Sequence, residues 1–388
     1  MSRNKILEEM LRQQRNLDEK TLKLIATRLN SFRGLGLVDF FDFAYYGLMY
    51  DVMLEIEEAA YHTRKKQVAD LEQVLNSSAK NAYNSMKYLY DDGQKVFLPF
   101  KNNTEVKDFV SNEVQANCNQ FNETLKNVGY PVTDEKTGAR IFHNLPETYQ
   151  YIVNSAKMQA TTNPFGYDLW TRKVMKKLMR DGLKIYNYNQ DTHRYKQQNS
   201  YSYIRNFIKD AVYRVCQGVY NAVANQVGID GVEVSVHLDC ALDHLDIQGK
   251  QFSLHEFHKM QSNDDFYDIY GNHYIGLDRA LGTWNCRHYV YPVILGKSKP
   301  RYTSEQLQEI KENRNMIYAT VVDSSGEKAY IPFGDFDRYK GDLLDRLNNL
   351  TMDMRVAEKL NDPWLVNYYK TRILSCKSEL NSIKIIRS

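Results

Sequence analysis

Long stretches of this chain carry a helical apolar period with almost nothing to interrupt it. Leu37, Phe41, Ala44, Leu48, Val52 and Ile56 follow one another in steps of four, three, four, four and four, which keeps them on one helix face. The chain has only 8 Pro and 19 Gly in 388 residues, below the ~5% and ~7% of average usage. It therefore lacks the turn punctuation of an all-β protein, and long helices are expected to dominate. Residues 3 to about 92 read as helices with a break at Gly36, ending at Asp91, Asp92 and Gly93, where a glycine can adopt the left-handed conformation that closes a helix. Helices are also expected at 104–119, 146–159, 167–180 and 203–227, the last interrupted near Gly218, with 120–145 a connecting loop because of Gly129, Pro131 and Gly138.

A change of period marks a second kind of structure. After Gly228 and Gly231, Val232, Val234 and Val236 alternate with Glu233, Ser235 and His237, the period of two of a strand. From Thr303 the pattern returns to helix. Thr303 and Gln306 are spaced as a capping box, and a hairpin is expected at Ile317–Val322 and Lys328–Pro332, turning at Ser324, Ser325 and Gly326. The fold class expected is mainly α with a small α+β module: a helical N-terminal region at 1–160, a basic helical segment at 161–228, the short-stranded module at 229–300, and C-terminal helices with a β-hairpin at 301–388.

The formal charge is +3 and the mean hydropathy −0.59, so neither a generally basic nucleic-acid binder nor a membrane-spanning chain is indicated. The start, MSRNKILEEMLRQQRN, lacks the apolar core of a secretory signal. The five cysteines Cys118, Cys216, Cys240, Cys286 and Cys376 are scattered and odd in number, which suits a reducing compartment. A chain made and kept in a cytosol is the expectation.

Charge is unevenly spread. Between Pro164 and Arg214 lie eleven Lys/Arg against four Asp, a net +7 that leaves −4 for the remainder. Arg172, Lys173, Lys176, Lys177, Arg180, Lys184, Arg194 and Lys196, with Tyr186, Tyr188, Tyr195, Tyr201 and Tyr203 between and beyond them, form a candidate surface for duplex DNA, touching phosphates with rings available to stack. The plainer reading is a solvated or internally paired helix face. Tyr is abundant at 29 residues. Such rings serve interfaces and half-buried packing alike, and Tyr45, Tyr46 and Tyr50 are expected to pack.

The acidic module that follows concentrates the chemistry-bearing side chains. His237, Cys240 and His244 stand in an H-x2-C-x3-H spacing, and Cys286 and His288 follow as C-x-H. Imidazole and thiolate are zinc's ligands, so these five are the candidate metal residues. Packing in a small module, with Cys as a small hydrophobe, is the competing account and the one preferred. A thiol nucleophile at Cys286, with His244 or His288 as base and Asp239, Asp243 or Asp246 orienting it, is the enzyme alternative. No phosphate-binding loop and no H-E-x-x-H is found, His255-Glu256 being followed by Phe257-His258.

His237, His244, Gln248-Gly249-Lys250, Gly276-Leu277 and Asn285-Cys286-Arg287-His288, followed by Tyr291-Pro292 and Gly296, resemble the signature block of the phage minor capsid protein 2 family. Asp168 and Arg172 ahead of the block, and Tyr302-Thr303 with Glu305 after it, are similarly placed. Ala241 and Ile247 stand where that family usually has Arg and Trp. A more distant likeness is to the Mu F-like head morphogenesis proteins. The resemblance implies a structural, noncatalytic virion component of a tailed bacteriophage, docked at the portal vertex or capsid interior and supporting head assembly or DNA packaging and delivery. Its implied partners are the portal protein, other capsid proteins and packaged double-stranded DNA, with no membrane. It implies host cytoplasm during assembly and then the virion. No catalytic residue and no cofactor is expected, zinc being the ion the His/Cys set would take. The alternatives are a zinc- or thiol-dependent enzyme of nuclease or toxin-like type and, further off, a host DNA-binding protein.

Overall fold

The computed structural model describes residues 3–33, 43–133, 137–138, 140–189, 194–237, 240, 244–268, 271–278, 280–282, 286, 288–322 and 328–387. Expectations placed on Gly36, Leu37, Phe41, Asp239, Ala241, Asp243, Asn285, Arg287 and the turn at 324–326 lie outside them, as do the side chains of Ala44, Tyr45, Tyr46, Leu48, Tyr188, Arg194, Tyr195 and Lys196. In chain order the elements begin with α1 (Arg3–Ser31), α2 (Phe43–Ser85), α3 (Lys87–Asp92), α4 (Thr104–Leu125), β1 (Val128–Thr133), β2 (Arg140–Asn144), α5 (Leu145–Thr162), α6 (Tyr167–Asp181), β3 (Lys184–Asn189), β4 (Arg194–Asn199) and α7 (Ser200–Val227). There follow β5 (Gly231–Val234), β6 (Gln251–Ser253), α8 (Leu254–Gln261), β7 (Phe266–Tyr267), β8 (His273–Tyr274), β9 (Val290–Val293), α9 (Ser304–Met316), β10 (Ile317–Val322), β11 (Lys328–Pro332), α10 (Phe333–Lys359), α11 (Pro363–Ser382) and β12 (Lys384–Arg387). The chain is mainly α with small antiparallel sheets, as its periodicity predicts.

Two compact units divide these elements. The first comprises Met1–Leu71, Cys118–Ile208 and Asp342–Leu380. Its α1 buries Ile6, Met10, Leu17, Leu22, Ile25 and Leu29, a stripe at helical spacing. Asp18 lies on that helix and is wholly buried, accepting hydrogen bonds from the hydroxyls of Tyr130 and Tyr201. Desolvation pushes its carboxyl up to about 6, against the lowering effect of the two tyrosines and the Leu183 backbone.

The first unit also corrects the expected loop at 120–145. β1 and β2 pair antiparallel there and are joined by β3 and β4 in the order β2-β1-β3-β4. Gly129 and Pro131 are strand residues. A Cβ on Gly129 would stand 2.0 Å from the His143 carbonyl oxygen, so close approach demands a glycine. Pro131 pairs with Phe142 beyond the two residues of β1 that meet β3, an edge position where a missing N–H is tolerated. The basic segment is likewise not helical throughout, since β3 and β4 form a hairpin between α6 and α7. α5 starts with a full capping box, in which Asn144 Oδ1 accepts from the Glu147 amide at 2.9 Å and Glu147 Oε2 from the Asn144 amide at 3.0 Å.

The second unit comprises Glu72–Asn117, Lys209–Gly341 and Asn381–Ser388. α3 ends at Gly93 as expected, but Gly93 has φ −83 and the left-handed residue is Gln94 at φ 53. Space rather than conformation selects the glycine, because a Cβ there would meet Val227 Cγ1 at 2.6 Å. Gly218 does not interrupt α7. The ring of Phe109 occupies the place its Cβ would take, 2.1 Å from Cζ. The hairpin of β10 and β11 has the expected bounds and is completed by β12, and Thr303 and Gln306 make the expected capping box at the start of α9.

Candidate functional site

The signature block is built on the sheet β6-β5-β9. β5 is shorter than the alternation predicts; it is the central strand of three, paired along both edges, and it is buried on both faces. Its Val232 and Val234 join Ile247, Phe252, Met260, Phe266, Tyr274, Leu277 and Leu281 in one core. Glu233 on the opposite face is 1% exposed. Burial raises its carboxyl, while Gln251 and Arg301 act against that. The Arg301 guanidinium stacks on Tyr291, 3.9 Å from the ring centre, and lies near Tyr88.

The motif residues after β5 make the turn that carries the chain into β6. Gln248 Oε1 accepts the His237 amide at 2.9 Å. Gly249 has φ +73, and its amide donates to the Val234 carbonyl at 2.7 Å. The Lys250 carbonyl accepts from the Val234 amide at 3.1 Å, and its Nζ donates to the Tyr274 hydroxyl. Gly276 is required by contact, since a Cβ there would stand 2.2 Å from the Asn263 backbone, and Leu277 is core. Gln-Gly-Lys and Gly-Leu are therefore folding elements.

His244, Cys286 and His288 converge beside this turn. Cys286 Sγ lies 3.4 Å from His288 Nδ1 and 3.7 Å from His244 Nδ1, and all ligand atoms of the trio fall within 4.8 Å of one another. His244 and His288 are 1% and 3% exposed, and Cys286 is half-buried. Burial pushes the Cys286 thiol up, but hydrogen bonds from His244, His288 and the backbone amides of His288 and Gly282 outweigh it and bring the thiol down to about 5. A stabilised thiolate between two imidazoles can ligate a metal ion or act as a nucleophile.

The other candidate ligands are separated from the trio. The His237 ring packs edge-on against His288 with centroids 4.6 Å apart, while its Nε2 stands 2.9 Å from Ser235 Oγ. Cys240 is buried with its amide bonded to the His237 carbonyl, outside the trio. Asp246 pairs with Lys311 at 2.7 Å on the surface rather than orienting an imidazole.

Five of the basic candidates share α6, and several of them are engaged within the fold. Arg172 Nε bonds the buried Asp362 at 2.7 Å and its guanidinium lies over Trp364. Lys176 Nζ lies 4.2 Å from the centre of the Tyr368 ring and 5.0 Å from that of Trp364. Arg180 pairs with Asp181, and Arg205 with Asp345. Lys173 is exposed on α6, Lys177 is half-buried, and Lys184 belongs to β3. Arg194 and Lys196 lie on β4.

α2 carries a surface that sequence reading assigns elsewhere. Tyr50 is 61% exposed instead of packed, and with Leu54 and Tyr61 it makes an exposed row on one helix face, the three lying four and seven residues apart. Glu55, Glu57 and Glu58 flank the row. A cleft of about 540 Å³ in the same unit is lined by Leu54, Glu57, Glu58, Tyr61, Leu17 and Leu145 among others. The spacing is legible in the sequence once Ile56, 1% exposed, is taken as the buried side of α2.

Fold and site together describe a mainly helical protein with a small, His/Cys-bearing α+β module. The family described as Phage minor capsid protein 2 matches residues 15–326, and the chain belongs to it: it is a structural minor capsid protein of a bacteriophage, a component of the virion. The match takes in most of the helical N-terminal region as well as the signature block. No curated protein and no solved structure matches the chain. Among the described residues no helix is long and apolar enough to cross a membrane.

Proposed function

We propose that this minor capsid protein docks on the portal protein at the head vertex, on the capsid's inner side, and supports head assembly and the packaging or delivery of DNA. The observation that carries the reading is the row Tyr50, Leu54 and Tyr61 beside the cleft that Leu54 and Tyr61 help to line. Exposed aromatic and aliphatic side chains aligned on a rigid helix are what protein interfaces use as anchors. At ~1.5 Å per residue the row from Tyr50 to Tyr61 runs ~17 Å along α2.

The test is co-expression of the chain with the portal protein of the same phage, followed by size-exclusion chromatography. A stable complex is expected, and a variant combining Tyr50→Ser, Leu54→Ser and Tyr61→Ser, folded by circular dichroism, is expected to bind at least tenfold more weakly. Failure of the unaltered chain to bind the portal, or undiminished binding by the variant, contradicts the proposal.

A further inference from the structure

We propose that His244, Cys286 and His288 hold a zinc-class divalent ion that fastens the approach to β9 onto the turn following β5. The ligand chemistry is that of zinc, two imidazole nitrogens and a thiolate. The spacing fits as well. In a tetrahedral site with Zn–S of ~2.3 Å and Zn–N of ~2.0–2.1 Å, sulfur and nitrogen stand about 3.6 Å apart. The two sulfur–nitrogen separations here are 3.4 and 3.7 Å, already those of a bound ion, and the two imidazole nitrogens, within 4.8 Å of each other, would close to about 3.3 Å around it.

Two further observations bear on the trio. The Gly282 amide donates to Cys286 Sγ at 3.4 Å, the kind of outer contact that fixes a ligating group and tunes its basicity. The His237 ring, moreover, packs edge-on against His288 with centroids 4.6 Å apart, which limits how far the His288 ring can turn away from Cys286. Packing alone gives no reason to gather a thiol and two imidazoles there.

The role is structural. The strands of this module are two to four residues long, too short to be strong by themselves. The ligands come from two segments 42 residues apart, and a shared ion closes that loop. Three protein ligands are supplied, one short of the closed set of most structural zinc sites, so solvent at the half-buried Cys286 takes the fourth place. His237, held by Ser235 against the His288 ring, acts as a positioning residue.

The experiment uses the full chain purified without chelator and titrated with Co2+, a spectroscopic substitute for zinc. The expected result is one Co2+ per chain with the visible absorption of a tetrahedral site and a near-ultraviolet sulfur-to-cobalt charge-transfer band, both displaced by one equivalent of Zn2+. Cys286→Ser is expected to lose the charge-transfer band and His288→Ala to reduce the visible absorption, whereas Cys240→Ser keeps both. Should Cys286→Ser fail to fold, the band and stoichiometry of the unaltered chain and of Cys240→Ser decide the matter. Absence of stoichiometric Co2+ binding overturns the proposal. So does a charge-transfer band that survives Cys286→Ser or disappears with Cys240→Ser.

Discussion

Replacing Gly249 by alanine tests whether the Gln-Gly-Lys turn is a folding element. The backbone there has φ +73, and a Cβ would stand 2.3 Å from Leu307 Cδ2 and 3.0 Å from Val236 Cγ2. An L-residue in the left-handed region costs ~1–2 kcal/mol. Overpacking adds ~1–3 kcal/mol, here towards the low end because Leu307 meets the methyl with the far end of a flexible side chain. The narrower unfolded ensemble of alanine returns ~0.4–1 kcal/mol. The net loss is about 2 kcal/mol, or roughly 30-fold in the opening equilibrium of the module at ~1.4 kcal/mol per factor of ten. Because the chain has two units, the appropriate assay is native-state hydrogen exchange read on peptides covering β5, the turn and β6, rather than one global unfolding curve. Gly341 in α10 serves as the control. It has an ordinary φ and nothing within 4 Å of an added Cβ, so Gly341→Ala is expected to stabilise its helix by ~0.5–1 kcal/mol. Protection over β5 and β6 unchanged within ~0.5 kcal/mol in Gly249→Ala, the usual range for innocuous substitutions, refutes the reasoning.

Three other outcomes follow from the geometry. Asp18, with its carboxyl raised from 3.8 to about 6, holds its proton more tightly folded than unfolded, so its contribution to stability is complete below 3.8 and is lost as pH rises to about 6. The loss is ~3 kcal/mol at ~1.4 kcal/mol per unit; denaturation curves of Asp18→Asn should lack this fall, and parallel pH profiles for variant and parent would count against it. Arg301→Ala removes the guanidinium from the buried Glu233, which keeps Gln251 and the residue-301 amide as donors, and should cost ~1–3 kcal/mol in hydrogen exchange read over β5, relieved in part when Glu233→Gln is added; an unrelieved double variant contradicts the pairing. On duplex DNA, fluorescence anisotropy across a salt series should give a log–log slope no steeper than about −4.5, roughly −0.9 for each of the other five candidates, since Arg172, Lys176 and Arg180 already have internal partners; a slope near −7 would show that these cations too are released to phosphates.

What was legible in the sequence follows from how local the determining interactions are. The Thr303–Gln306 capping box and the hairpin of β10 and β11 depend on neighbours a few residues away, and both have the expected form. The sheet of β1 to β4 depends on pairing across more than fifty residues, from Val128 to Ile185. Its strands also carry Gly129, Pro131 and runs of polar residues that locally read as loop. Gly218 shows the same limit in a helix, because a glycine that accommodates Phe109 looks identical in sequence to one that breaks α7. At the site, residue types identify the five His and Cys candidates, but the path of the chain alone selects His244, Cys286 and His288 and leaves Cys240 aside. Tyr50 was misassigned because its neighbours Val52 and Ile56 are apolar, although it faces outward from the same helix.

The most direct test of the central claim is cross-linking mass spectrometry on intact, purified heads, combined with quantification of the chain per particle. The account predicts a few copies per head, with cross-links from residues flanking Tyr50 and Tyr61 to the portal protein. Heads that lack the chain, or cross-links from this face that reach the major shell and never the portal, would contradict it.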